Sequence, residues 1–187
     1  MHLKTLIIFC ILWLSACSSL QWSRNQYDGQ SQLELPDYST NFIQSGDAYE
    51  PRSDFYLQWP VGKVRISQTF RPHRNKKHEG VDLTHYFNAP IYAAHEGYVV
   101  YVGNEYSGYG KMIILQYSNK WATLYAHLNK IEVKEGQVVE RGELIGRMGK
   151  TGRVTGTHLH FELLKNKVPI DPMDFLPYNR SVAHKNR

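Results

Sequence analysis

Five residues, His78, Asp82, His127, His158 and His160, could together carry out metal-assisted hydrolysis. In His158-Leu159-His160-Phe161-Glu162-Leu163 polar and apolar residues alternate. On a strand, His158, His160 and Glu162 then share one face while Leu159, Phe161 and Leu163 enter a core. Two imidazoles side by side stand about 6.5 to 7 Å apart at the backbone, so one can bind a metal while its neighbour reaches toward the open coordination position. Alone, such a pair is better explained as a half-exposed polar face, and Glu162 as a plain exposed carboxylate. His78-Glu79-Gly80-Val81-Asp82 offers an imidazole and a carboxylate, both zinc ligands at about 2.0 to 2.2 Å. Fully extended, positions 78 and 82 lie ~13 Å apart, so the chain must bend, and Gly80 permits it. A helix would also align the pair, but Gly80 and the β-branched Val81 make it the poorer choice. Glu79 imitates the Glu of a zinc-protease HExxH helix, but the fifth position is Asp82 and no helix is evident, so Glu79 reads as a solvated charge.

His127 lies in Tyr125-Ala126-His127-Leu128, at the end of a strand expected from Trp121. Isolated, it reads as a satisfied structural histidine. Taken together, the clusters say more. His78, Asp82 and one histidine of the pair supply three nitrogen and oxygen ligands and leave a fourth tetrahedral position for water, the pattern of a catalytic zinc. Two histidines remain to move protons and stabilise charge. Spacing does not tell which histidine of the pair takes the metal.

The elements that must position these side chains are short strands. Val64 to Thr69, Gly80 to Thr84, Gly97 to Val102, Lys111 to Tyr117, Trp121 to Leu128, Glu143 to Met148 and His158 to Leu164 are rich in β-branched and aromatic residues and are bounded by Gly, Pro and Asn. No long 3.6-residue stripe appears. A mostly β, compact antiparallel domain is expected over 57–177. Residues 178–187 form a basic tail that reads as a frayed end.

Upstream, Lys4, the apolar run Leu6 to Leu14 and the small Ser15 and Ala16 read as a signal segment over 1–16, too short to span a bilayer. Leu14-Ser15-Ala16-Cys17 resembles the lipobox of bacterial lipoproteins, which makes Cys17 the expected lipidation site and membrane anchor. Ser18 after it resembles the outer-membrane sorting preference, so the expected location is the cell envelope, on the outer membrane facing the periplasm. Cys10 lies within the signal, so no disulfide is expected in the mature chain. Residues 17–56, polar and without period, read as the lipidated Cys and a flexible linker, long enough to let the domain reach roughly 35 Å from a membrane as a coil. The net charge of +5 suits any anionic polymer and decides nothing by itself.

HxxxD, then YAHL, then GxxTGTHLHFEL, in this order, resemble the lysostaphin/LytM family of peptidoglycan metalloendopeptidases over Leu57 to Pro177. The resemblance implies the family's antiparallel β fold, a duplicated hybrid motif, with Zn2+ on His78, Asp82 and His160 and catalytic roles for His127 and His158. It implies that the zinc polarises water and the scissile carbonyl while the two histidines assist proton transfer. Peptidoglycan is then the expected partner, with no nucleic acid. The rival expectation is a non-catalytic LytM-type regulator that activates a cell-wall amidase, but all five family positions are retained here. Glu135 to Gly146 resembles the turn-strand unit shared with biotinyl and lipoyl carriers, yet Lys111-Met112 lacks a carrier's hairpin context. A phosphohistidine carrier on a related fold would need a cytoplasmic location. Arg71 reads as part of a solvated basic loop, and His73, His85 and His95 are left without a role.

Overall fold

The computed structural model describes residues 55–71, 78–118 and 120–177. The expected signal segment, Cys17, most of the linker, His73 and the basic tail lie outside them. Ten strands follow: β1 (Ile66–Gln68), β2 (Val81–Leu83), β3 (Pro90–Tyr92), β4 (Gly97–Gly103), β5 (Lys111–Gln116), β6 (Trp121–Ile131), β7 (Val138–Val139), β8 (Leu144–Met148), β9 (Leu159–Lys165) and β10 (Val168–Ile170). Every pairing is antiparallel, as expected. The spatial order is β1-β2-β9-β6-β5-β4-β7, with β10 added to β9 and β8 joining β6 to β3. Among the described residues there is no α-helix, and Pro172–Asp174 makes one short 3-10 turn capped by Asp171.

The central strands are buried on both faces, which is why their sequences read as nearly continuous apolar runs rather than as a half-wet alternation. On β5, Ile113 and Leu115 enter the main core with Tyr125 and Phe161, while Met112 and Ile114 join a second cluster with Leu124 and Leu164. β9 divides in the same way, sending Leu159, Phe161 and Leu163 into the main core and His160 and Glu162 to the opposite face. Phe55 and Tyr56, the last two residues of the expected linker, lie against this domain. Phe55 stacks on Trp121 at 4.4 Å, and the guanidinium of Arg141 sits 3.5 Å from the centre of the Tyr56 ring.

One irregularity matters for the site. Ile113 faces Tyr125 and Lys111 faces Leu128, so Ala126 and His127 together oppose Met112 alone. This is a β-bulge, a device that re-aims a side chain. His127 takes a left-handed φ of 62°, uncommon for a residue with a Cβ. Thr151 bridges the gap in the ladder: its hydroxyl accepts from the Lys111 N–H at 3.0 Å and donates to the Leu128 carbonyl at 2.8 Å.

Candidate metal centre and its cleft

Register brings the first two ligand candidates together. Asp82 on β2 and His160 on β9 are directly opposed partners, and side chains so placed on one face are neighbours. His78 arrives from just before β2, where its backbone bridges Arg71 and the chain bends at Gly80. At Gly80 the strands approach so closely that a Cβ would lie 2.4 Å from the Phe161 carbonyl oxygen. As a result His78 Nε2 stands 3.0 Å from Asp82 Oδ1 and 3.2 Å from His160 Nδ1, and the last two atoms are 2.9 Å apart.

The outward hydrogen bonds decide which nitrogens face inward. His78 Nδ1 donates to the Thr69 carbonyl at 2.9 Å, which leaves the Nε2 lone pair toward the centre. His160 Nε2 donates to Glu162 Oε1 at 2.8 Å, which leaves Nδ1 toward the same point. Two imidazole lone pairs and a carboxylate oxygen thus converge, an arrangement that a shared proton or a cation must hold. Ligands ~2.0 to 2.1 Å from a tetrahedral zinc lie ~3.3 Å from one another, close to the spacing of this trio, and the donor chemistry fits zinc equally well. Without a cation, the electrostatics favour a proton shared in the trio. Burial by itself raises the Asp82 pKa, but the hydrogen bonds and charges of His160 and His78 outweigh it and hold the carboxyl well below the usual carboxylate range. Burial lowers that of His160, yet Asp82 and Glu162 carry it up to about 9.

His127 and His158 flank the trio. His158 Nδ1 donates to the Gly156 carbonyl at 3.0 Å, and its Nε2 lies 3.7 Å from Asp82 Oδ1. His127 Nδ1 donates to the Thr151 carbonyl at 2.9 Å, while its backbone N–H is held by the Tyr109 carbonyl at 2.9 Å. Their ring centres are 4.8 Å apart, and the His127 and His160 rings 5.8 Å. Burial pushes the His127 pKa down to about 4, with the neighbouring imidazoles of His160 and His158 adding to the effect, so this ring is a neutral proton acceptor at neutral pH. All five residues line one open cleft of about 440 Å³.

Glu162 corrects an expectation. It is 1% exposed, not a plain surface carboxylate, and its Oε1 accepts from the Tyr109 hydroxyl at 2.8 Å as well as from His160. The alternation along β9 correctly separates the two faces, but the face away from the main core is covered rather than wet. Tyr109 carries no signal in the sequence, since nothing in a loop marks a tyrosine that touches both Glu162 and His160. Glu79 is half-buried in the cleft wall beside His78. His95 lies away from the cleft, fully buried between the Glu96 carbonyl and the Thr123 hydroxyl, a structural histidine. His85 packs against the exposed Tyr86.

Comparison with known proteins agrees with this geometry. The peptidoglycan DD-endopeptidase ShyA of Vibrio cholerae is 38% identical over 156 residues, covering 76% of this chain and 36% of its own. The uncharacterized lipoprotein YgeR of Escherichia coli is 39% identical over 120 residues, covering 64% of this chain and 46% of its own. The chain therefore spans less than half the length of either relative. The crystal structure of a zinc-containing peptidase from Vibrio cholerae superposes with a TM-score of 0.60 at 35% identity, covering 64% of this chain and 40% of that one. Residues 76–172, more than half of the sequence and the stretch that holds all five site positions, match peptidase family M23, and the chain belongs to that family, the lysostaphin/LytM type its motifs resemble.

Proposed function

We propose that this protein is a zinc endopeptidase that hydrolyses peptide cross-links of peptidoglycan, acting from a lipid anchor on Cys17. The observation that carries the proposal is the convergence of His78 Nε2, Asp82 Oδ1 and His160 Nδ1 within 3.2 Å of one another, with two further histidines beside them in the same cleft. Those three residues would hold the metal. Bound zinc supplies Lewis acidity, which polarises water and the scissile carbonyl.

The chain's own groups do the rest. His127 and His158 each spend Nδ1–H on a backbone carbonyl, so each presents the Nε2 lone pair as a proton acceptor. One of them takes a proton from the attacking water as its oxygen joins the carbonyl carbon. The resulting imidazolium is a charged donor beside the developing oxyanion, and that proton passes to the departing amine when the C–N bond breaks. Glu162 and the Thr69 carbonyl keep the two metal histidines in the tautomers the ligation needs. The lipid anchor and an envelope location rest on the Cys17 motif and agree with the lipoprotein name of the relative YgeR.

Incubating the protein with isolated sacculi, with chelator and after zinc is restored, tests the reading. Release of cross-linked peptides as monomers that stops on chelation and returns with zinc is the expected result. Release that persists after complete zinc removal contradicts it.

A further inference from the structure

We propose that Arg153 is a subsite for a substrate carboxylate next to the scissile amide, so that the cleft selects cross-links carrying such a group. The proposal rests on the endopeptidase reading. Among the described residues that line the cleft, Arg153 is the one lysine or arginine. Three carboxylates line the cleft and all are engaged: Asp82 with His78 and His160, Glu162 with His160 and Tyr109, and Glu79 in an interaction of its own. The guanidinium itself is exposed and has no hydrogen bond or ion pair with any described residue.

Its backbone, by contrast, is fixed. The Arg153 N–H donates to the Gly108 carbonyl at 2.8 Å. Gly152 before it has φ 77°, and a Cβ there would lie 2.3 Å from the same carbonyl oxygen, so the two walls of the cleft meet backbone to backbone. Thr151, one residue earlier, closes the bulge that aims His127. A fixed root and an unengaged head in the wall of a catalytic cleft describe a group that serves a ligand rather than the fold. Guanidinium matches a carboxylate in paired, charge-assisted hydrogen bonds, which gives direction as well as attraction.

The chemistry of the ligand follows. An amide cross-link made through the second amino group of diaminopimelate carries a carboxylate on the carbon bonded to the scissile nitrogen. A glycine bridge carries none within its run. The first class gives Arg153 a partner beside the reacting bond, and the second does not.

The test uses the zinc-loaded full chain and two cross-linked peptide dimers that differ only at that carbon, one with free carboxylate and one with carboxamide. Wild type is expected to prefer the carboxylate by about 10- to 100-fold in kcat/KM, the range for a charge-assisted hydrogen bond. Arg153→Gln should abolish the preference by raising KM for the carboxylate dimer alone, with zinc content unchanged, and Arg153→Lys should restore part of it. Equal treatment of both dimers by wild type, or a preference that survives Arg153→Gln, overturns the proposal. If wild type cleaves neither dimer, the endopeptidase reading fails, and calorimetry decides the subsite separately. Tighter carboxylate binding by wild type than by Arg153→Gln then supports it, and equal binding overturns it.

Discussion

His160 reaches the candidate metal centre with one nitrogen and a buried carboxylate with the other, and the two contacts are coupled. If Nε2–H did not donate to Glu162, Nδ1 would be free to carry the proton and its lone pair would be lost to the metal. Glu162→Gln keeps the volume but replaces a charged acceptor with an amide, so zinc affinity should fall by about 10- to 100-fold. Competition with a chelator of known affinity measures this, and an unchanged dissociation constant would remove Glu162 from the site. At this scale the sequence is legible where types and spacing coincide. His78, Asp82, His158 and His160 announce themselves because two short clusters each hold two possible ligands. Glu162 does not, because alternation assigns a side chain to a face without saying what covers that face. Its cover includes Tyr109, 53 residues away in sequence.

Between strands, the site depends on the contact of β2 with β9. The register sets Asp82 opposite His160, and Gly80 allows the backbones to close just ahead of it. Gly80→Ala places a methyl against the Phe161 carbonyl, and overpacking of this kind costs on the order of 1–3 kcal/mol. Because the displaced segment lies between His78 and Asp82, zinc affinity should fall together with the melting temperature. Gly62→Ala, where a Cβ meets no atom within 4 Å, is the control expected to change neither. A Gly80→Ala variant as stable and as tightly zinc-bound as wild type would show that the close approach is not needed. The strands on either side of this contact are all visible as apolar, β-branched runs. β3, β7 and β10 are not: β3 and β10 carry Pro90 and Pro169, which argue against a strand, and β7 is only two residues long. The bulge at His127 is equally hidden, because the strand carries no glycine there to mark its left-handed φ.

Across the whole molecule, central strands buried on both faces and the segments beside them hold four hydrogen-bonded histidines around one cleft. His158 sits one residue ahead of β9, in a bridge to Gly149, and His160 lies on β9, so the two have separate supports for the separate roles proposed for them. Membership of peptidase family M23 sets the fold. Whether this chain cuts cross-links or regulates another hydrolase turns on whether a correctly loaded metal does work. The most direct measurement is zinc content beside sacculus digestion for wild type, His160→Ala and His158→Ala. Wild type is expected to hold near-stoichiometric zinc and to digest sacculi, and His160→Ala to lose both metal and activity, since one of three protein ligands is removed. His158→Ala is expected to retain zinc with turnover reduced about 10²- to 10⁴-fold, the range for a lost proton-transfer group. Wild type that holds zinc yet leaves sacculi intact contradicts the endopeptidase proposal, and a His158→Ala variant that loses the metal while His160→Ala keeps it contradicts the assignment of the two histidines.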